Sequence, residues 1–257
     1  MKNTADNIKI KIKNLVKAFG SNSVLDGVNL EIASGRSLVI LGRSGSGKSV
    51  LIKTIIGLIK LDKGQIIVDH EDVTNLSSAK RFEFMAKCGF LFQGGALFDS
   101  LSVEDNITFY MQRQYNISAI QKKELAIQKL KAVNLPENIL KLYPSELSGG
   151  MKKRVALARA ICTNPKIIFF DEPTAGLDPI TTNIINNLII ETRKALGATT
   201  IIITHDIASA YKVATDIAML YKGKIIWCGK IEDIDKSNNE ILNQFIHGNI
   251  EGPITDN

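Results

Sequence analysis

Polar and apolar residues alternate from Ile8 to Leu15 and again from Val28 to Ile32. That period of two predicts two short strands ahead of the turn Ala33-Ser34-Gly35. Ser37 to Leu41 is instead a continuous apolar run, the length of a buried strand, and it leads directly into a glycine-rich loop. From Lys48 to Ile59 the spacing changes, and Leu51, Ile52, Ile55, Ile56 and Ile59 fall on one stripe of a predicted amphipathic helix. The turn Leu61-Asp62-Lys63-Gly64 then precedes a strand over Gln65 to Val68.

From about Gly94 to Glu146 the pattern is mainly helical, punctuated by Pro136 and Pro144. Ser118 and Gln121 have the spacing of a capping box in front of Leu125, Ile127 and Leu130. Strand-like runs return at Ile167 to Phe170 and Thr199 to Ile203. Between them Asp178 and Pro179 form an N-cap and first-turn pair. The helix they open carries Ile184, Ile185, Leu188 and Ile189 on its apolar face and ends at Gly197. Strands alternating with helices of this length imply an α/β fold with a mostly parallel sheet wrapped by helices. After Gly229 the pattern shifts: Ser237 and Glu240 suggest another capping box, followed by a short stripe of Ile241, Leu242, Phe245 and Ile246.

Composition narrows the class. The chain has 257 residues, 45 % hydrophobic and 23 % charged, enough for a sizeable core and unlike disorder. No stretch approaches the ~18 consecutive apolar residues of a membrane span. Met1 to Ile10 lacks a signal-peptide core. The expected location is therefore cytoplasmic, with membrane contact only through a partner. The net charge is +6, but the basic residues are scattered apart from clusters such as Lys9 to Lys13 and Lys152-Lys153-Arg154. Scattered charge argues against a nucleic-acid tail, and no nucleic-acid partner is expected. The three cysteines are far apart and lack CxxC spacing, which excludes a disulfide framework and a zinc site.

Two stretches carry chemistry. Gly42-Arg43-Ser44-Gly45-Ser46-Gly47-Lys48-Ser49 matches GxxxxGK[ST], with an apolar strand before it and an amphipathic helix after it. Glycines let main-chain N–H groups turn toward phosphate oxygens, and the helix start adds its partial positive charge. Lys48 would reach the outer phosphates and Ser49 would ligate Mg²⁺. The second stretch, Ile167 to Phe170 followed by Asp171-Glu172, ends a buried strand in two carboxylates. Ligands sit at the carboxyl ends of such strands. Asp171 would hold Mg²⁺ through water, and Glu172 would act on the attacking water as general base.

Between these stretches, Leu147-Ser148-Gly149-Gly150-Met151 resembles the signature of the ABC ATPase family. It is a second anion site in kind: an N-cap serine, two glycines, then a helix through Ala156, Ala158 and Ala160. The resemblance extends from about residue 8 to 229. Gln93 lies where the family has its Q-loop glutamine, and Ala175-Gly176-Leu177-Asp178 resembles the D-loop. His205 resembles the switch histidine, and Phe19 lies where the family stacks adenine. One departure is Met151, where the family's signature usually ends in glutamine.

The resemblance implies a P-loop NTPase core with an antiparallel β subdomain and a helical subdomain. The nucleotide-binding domain would span 1–229, its helical subdomain about 94–160, and a C-terminal extension 230–257. It implies that two copies clamp two ATP molecules head to tail, with Ser148, Gly149 and Gly150 on the partner's nucleotide and Asp178 crossing the interface. Glu172, His205 and Gln93 would be catalytic. Ser49, Gln93 and Asp171 would hold Mg²⁺, and Gln93 with the helical lobe would signal to permease subunits. Leu91 to Asp99, the Met-ended signature with Lys152-Lys153-Arg154, Asp178-Pro179-Ile180-Thr181, and Phe245 to Gly248 before Gly252-Pro253 look like the ATPases of Mce-associated lipid transporters of the Mla type. That likeness implies phospholipid transport, an Mce-domain partner, and a place on the cytoplasmic face of the inner membrane.

Other classes fit less well. ABC ATPases of DNA maintenance insert a long coiled coil between phosphate loop and signature, and here no long heptad run separates Ser49 from Ser148. Translation types carry two cassettes in one chain. A P-loop kinase would need neither Leu147 to Gly150 nor His205.

Overall fold

The structure, a computed structural model, describes residues 7–255; Met1 to Asp6, the start of the stretch without a signal-peptide core, lie outside the described residues. Strands β1 (Ile8–Phe19) and β2 (Asn22–Ala33) are followed by β3 (Ser37–Leu41), α1 (Lys48–Ile55), β4 (Lys63–Val68), β5 (Glu71–Asp72), α2 (Ser78–Ala86) and β6 (Cys88–Leu91). Helices α3 (Val103–Gln114), α4 (Ala119–Ala132) and α5 (Gly149–Ala160) come next, then β7 (Ile167–Asp171) and α6 (Pro179–Leu196). The chain finishes with β8 (Thr199–Ile203), α7 (Ile207–Val213), β9 (Asp216–Tyr221), β10 (Lys224–Lys230) and α8 (Glu240–His247). Contacts divide it into two units: residues up to Arg81 together with those from Ile201 onward, and Phe82–Thr200.

The first unit holds an antiparallel sheet in the order β2-β1-β4-β5. Ile10 and Ile12 are buried as the alternation requires, and Leu15 is buried beyond a register shift that breaks the period of two. The strand runs on past Leu15 to Phe19, because irregularities between Ile12 and Lys17 absorb the polar residues that break the pattern. Asn14 takes the left-handed conformation there (φ 46°) and exchanges hydrogen bonds with Asn29, at 2.9 and 3.0 Å. Elsewhere in this unit, the fully buried β3 pairs in parallel with β9, Val39 opposite Ile217 and Leu41 opposite Met219. β9 and β10 form a hairpin over Lys222-Gly223, both with positive φ (44° and 76°).

Helix α1 ends at Ile55, short of the predicted Ile59. Gly57 turns left-handed (φ 78°), and the N–H groups of Leu58 and Ile59 both close onto the Lys53 carbonyl, at 2.8 and 3.0 Å. The C-terminal helix also differs from expectation. Its cap is Asn239, whose Oδ1 accepts from Leu242 N at 2.9 Å, while Ser237 instead accepts from Asn239 N at 3.1 Å. Of the predicted stripe, Leu242 is fully buried and Ile241, Phe245 and Ile246 are half-buried.

In the second unit β6 and β7 are parallel neighbours, and the paired rings Phe90 and Phe169 stack with centroids 5.4 Å apart. Helices α3 and α4 pack on α5, whose Val155, Ala156, Leu157 and Ala158 are buried. The reciprocal Ser118–Gln121 capping box opens α4 as its spacing predicts. Helix α6 starts at the Asp178 cap with Pro179 in its first turn and stops at Gly197 (φ 58°). Its buried residues are Ile185, Asn186, Leu188, Ile189 and Thr192. Ile184, expected on the apolar face, is 39 % exposed.

Candidate nucleotide site

In the first unit the phosphate loop spans the gap between β3 and α1. Gly45 and Gly47 have φ of 77° and 98°, a conformation open to glycine at no steric cost. A Cβ at Gly42 would lie 2.5 Å from the Leu220 carbonyl oxygen and 2.7 Å from Ser46 Oγ, so no larger residue fits. The loop curls around the buried Lys48, whose ammonium donates to the carbonyls of Gly42 at 2.6 Å and Arg43 at 2.9 Å. Ser46 Oγ is buried with no hydrogen-bond partner, and no side chain caps the start of α1. A buried cation, an orphaned hydroxyl and an uncapped helix start together fit an oxyanion, and a row of phosphates satisfies all three.

Ser49 lies in the first turn of α1, half-buried, and Arg43 and Ser44 are exposed. The Phe19 ring, at the end of β1, is 50 % exposed, with the Lys17 ammonium 5.2 Å from its centroid. His205 is exposed, two residues past the end of β8. The buried Thr204 beside it accepts from Asp206 N at 3.0 Å, and Asp206 caps α7.

The remaining site residues belong to the second unit. Asp171 is the last residue of β7, and Glu172 follows it in the left-handed conformation (φ 47°). For a residue with a Cβ that conformation costs roughly 1–2 kcal/mol, so it persists only where neighbours hold it. Gln93, exposed, follows β6. Because β6 and β7 are parallel, with Leu91 opposite Phe170, Gln93 and Glu172 leave the sheet at the same end.

Lys153 joins them. Buried on α5, its ammonium donates to the Gln93 carbonyl in a short hydrogen bond and to the Glu172 carbonyl at 3.4 Å. Burial pushes the lysine pKa down, opposed by the charges of Glu172 and Asp171. Two turns along α5, Arg159 donates to the carbonyls of Gly95 and Ala96, each at 2.7 Å.

Ser148 caps α5, its Oγ accepting from Met151 N at 3.3 Å, and Ser148 and Gly149 are exposed. A Cβ at Gly150 would lie 2.6 Å from Thr181 Cγ2, and one at Gly149 3.9 Å from Leu177 Cδ2. Gly150 thus lets the start of α5 press against Thr181 at the start of α6, while Gly149 leaves only ordinary contact with Leu177. There the Asp178 carboxylate accepts from Ile180 N and Thr181 N, both at 3.0 Å, and from Thr181 Oγ1 at 2.5 Å. The Thr181 hydroxyl first, then these amides, hold its pKa below the usual aspartate value.

The predicted residues therefore fall into two groups. The phosphate loop, Phe19 and His205 belong to the first unit; Gln93, Asp171, Glu172, Ser148 to Gly150 and Asp178 belong to the second. Lys153 and Arg159 were not among the predicted site residues. The signal for Lys153 was a cation three residues before Ala156 and seven before Ala160, on the buried face of the helix.

A glycine loop curled around a buried lysine, between a buried parallel strand and a helix, defines a P-loop nucleoside-triphosphate-binding protein. The ABC transporter family model matches residues 25–175. A probable ribonucleotide transport ATP-binding protein, mkl, of Mycobacterium leprae is 36 % identical over 96 % of this chain and 71 % of its own length. The intermembrane phospholipid transport system ATP-binding protein MlaF of Haemophilus influenzae is 36 % identical over 95 % of this chain and 92 % of its own. Among solved structures, the dimeric post-hydrolysis ATP-binding cassette MJ0796 bound to ADP and Pi superposes with a TM-score of 0.80 at 32 % identity, covering 86 % of this chain and 98 % of that one.

The chain belongs to the ABC transporter family. It binds ATP and is an ATPase subunit whose hydrolysis is coupled to transport. Among the described residues no helix is long and apolar enough to cross a membrane.

Proposed function

We propose that two copies of this chain clamp two ATP molecules head to tail and drive phospholipid transport through permease subunits, from the cytoplasmic face of an inner membrane. One observation carries the pairing: the chain has two separate oxyanion-ready helix starts, the phosphate loop before α1 and the start of α5, where Ser148 and Gly149 are exposed and Gly150 is half-buried. A single triphosphate needs only one phosphate loop. A second copy gives the other helix start a ligand, and the dimeric MJ0796 cassette supports that arrangement. The cassette would extend to Gly229, with residues 230–257 as an extension to it.

In this reading Lys48 and the loop amides bind the phosphates, and the Phe19 ring stacks on adenine. Ser49, Gln93 and Asp171 would hold Mg²⁺, which would supply positive charge to the phosphate oxygens. Glu172 takes a proton from the attacking water as general base, and His205 stabilises the γ-phosphate. Ser148, Gly149 and Gly150 bind the γ-phosphate of the partner's ATP, and Asp178 lies across the interface. Hydrolysis removes the anion shared by both copies, so the clamp loosens. Gln93 and the helical lobe carry that change to the permease.

The MlaF relative supports the lipid assignment, together with the stretches Leu91 to Asp99 and Phe245 to Gly248 and the Met151-ended signature. An Mce-domain lipid-binding partner belongs to the same reading. The name of the mkl relative favours a second substrate, a ribonucleotide. Lipid analysis of the complex purified with its permease separates the two.

The mechanism is tested by Glu172→Gln. Its steady-state ATP hydrolysis is expected to fall at least a hundredfold, about 2.7 kcal/mol of transition-state stabilisation. ATP binding is expected to persist, and a dimer to accumulate on size-exclusion chromatography in ATP. Unchanged turnover removes Glu172 from the base role.

A further inference from the structure

Gln93 and Glu172 are separated along the chain but leave neighbouring strands at the same end, and both sit in irregular backbone. Glu172 is left-handed. Nothing in the β6–β7 ladder, which ends at the pair Leu91 and Phe170, ties these two residues to each other. The tie comes from α5, the helix that begins with Ser148. Lys153 buries its ammonium against both main-chain carbonyls, and this group lies on an otherwise apolar helix face.

A buried lysine is costly to keep unless its donors are used, so its position is selected by what it binds. Here both identified acceptors belong to residues with an assigned role in the reaction. They are main-chain carbonyls, so the contact with Lys153 does not itself occupy the side chains of Gln93 and Glu172. Arg159 grips Gly95 and Ala96 from the same helix, so the loop after Gln93 is held to α5 at two levels.

We propose that Lys153 is a positioning residue of the ATPase site: from the signature helix it clasps the main-chain carbonyls of Gln93 and Glu172 and holds the two residues in register with each other. The proposal rests on the roles given above to Gln93 and Glu172. It makes α5 a shared support: the helix that presents Ser148 and Gly149 to the partner's nucleotide also sets the backbone of this chain's own base. A shift of α5 on γ-phosphate loss then reaches Glu172 and Gln93 through one ammonium group.

The test compares wild type, Lys153→Met and Lys153→Arg in the full chain. Methionine keeps the stem and removes the donors; arginine keeps a cation with donors. We expect Lys153→Met to lower kcat for ATP at least tenfold, with KM for ATP and the affinity for a fluorescent nucleotide within threefold of wild type. Lys153→Arg is expected to recover most of the lost kcat. Should the methionine variant not fold, Lys153→Gln, which offers two amide N–H donors in place of three ammonium donors, is expected to show a smaller kcat loss at unchanged KM. A folded Lys153→Met, or Lys153→Gln where methionine does not fold, that turns over within twofold of wild type overturns the clamp. So does a loss of kcat that arginine does not restore and that follows the fall in thermal midpoint, since that pattern marks packing alone. Failure of the underlying reading is distinguishable: Glu172→Gln would then hydrolyse ATP normally, whatever Lys153 does.

Discussion

Residues around this site do two jobs at once, and Asp178 shows it most plainly. Its carboxylate caps α6 through two amides and one hydroxyl, while the proposed dimer places the same residue at an interface. These bonds favour the ionised form, so its folded-state pKa is depressed. The linkage sign follows: its stabilisation is complete above the ordinary aspartate value of 3.8 and is lost as pH falls through the lower folded-state value. Asp178→Ala is therefore expected to lower the thermal midpoint at pH 7, with the gap to wild type closing only below pH 3.8. A gap that is constant down to pH 2 would contradict the ionised cap. At this scale, legibility depended on whether chemistry lay in contiguous residues. Lys48 and Asp171-Glu172 sit in local motifs and could be read. Lys153 could not, because its acceptors are carbonyls, one of them 60 residues away, and a carbonyl carries no residue signature.

Among the elements, α8 and the segment after it depend on one side chain. Gln244 is buried, donates to the carbonyls of Asn249, Ile250 and Ile254 at 3.1–3.4 Å, and accepts from Ile254 N at 2.6 Å. Gly252 makes the fit possible, since a Cβ there would lie 2.4 Å from Gln244 Cδ. Gln244→Ala leaves several main-chain groups without a partner and is expected to cost about 1–3 kcal/mol. The expected readout is faster proteolytic cleavage between Gly248 and Thr255, seen by mass spectrometry; a cleavage pattern identical to wild type would contradict the strap. Elements with strong periodicity or caps were legible, among them β3, α4, α6 and β8. The β9–β10 hairpin was missed although Lys222-Gly223 marks its turn, and α2 was missed because it buries only Phe84. The overlong α1 and the misplaced cap of α8 have one cause. A single residue, Gly57 or Asn239, decides where the chain turns, and apolar spacing does not register it.

The whole molecule carries two helix starts suited to an oxyanion, one wrapped around the buried Lys48 and one exposed at Ser148 and Gly149, and the proposed machine requires them to have different owners. In the proposed pair the phosphate loop serves the chain's own ATP, and Ser148, Gly149 and Gly150 serve the ATP of a second copy. The order of the motifs, through the family resemblance, is what suggests this division, whereas the contact of Lys153 on α5 with the carbonyls of Gln93 and Glu172 needed three dimensions. The most direct measurement is a cryo-EM or crystal structure of Glu172→Gln with ATP and Mg²⁺. The account predicts a symmetric pair in which Gly149 N lies within hydrogen-bonding distance, ~3 Å, of a γ-phosphate oxygen held by the other copy's Lys48. A nucleotide-bound structure with Gly149 far from every γ-phosphate, in its own chain and in any neighbour, would contradict it.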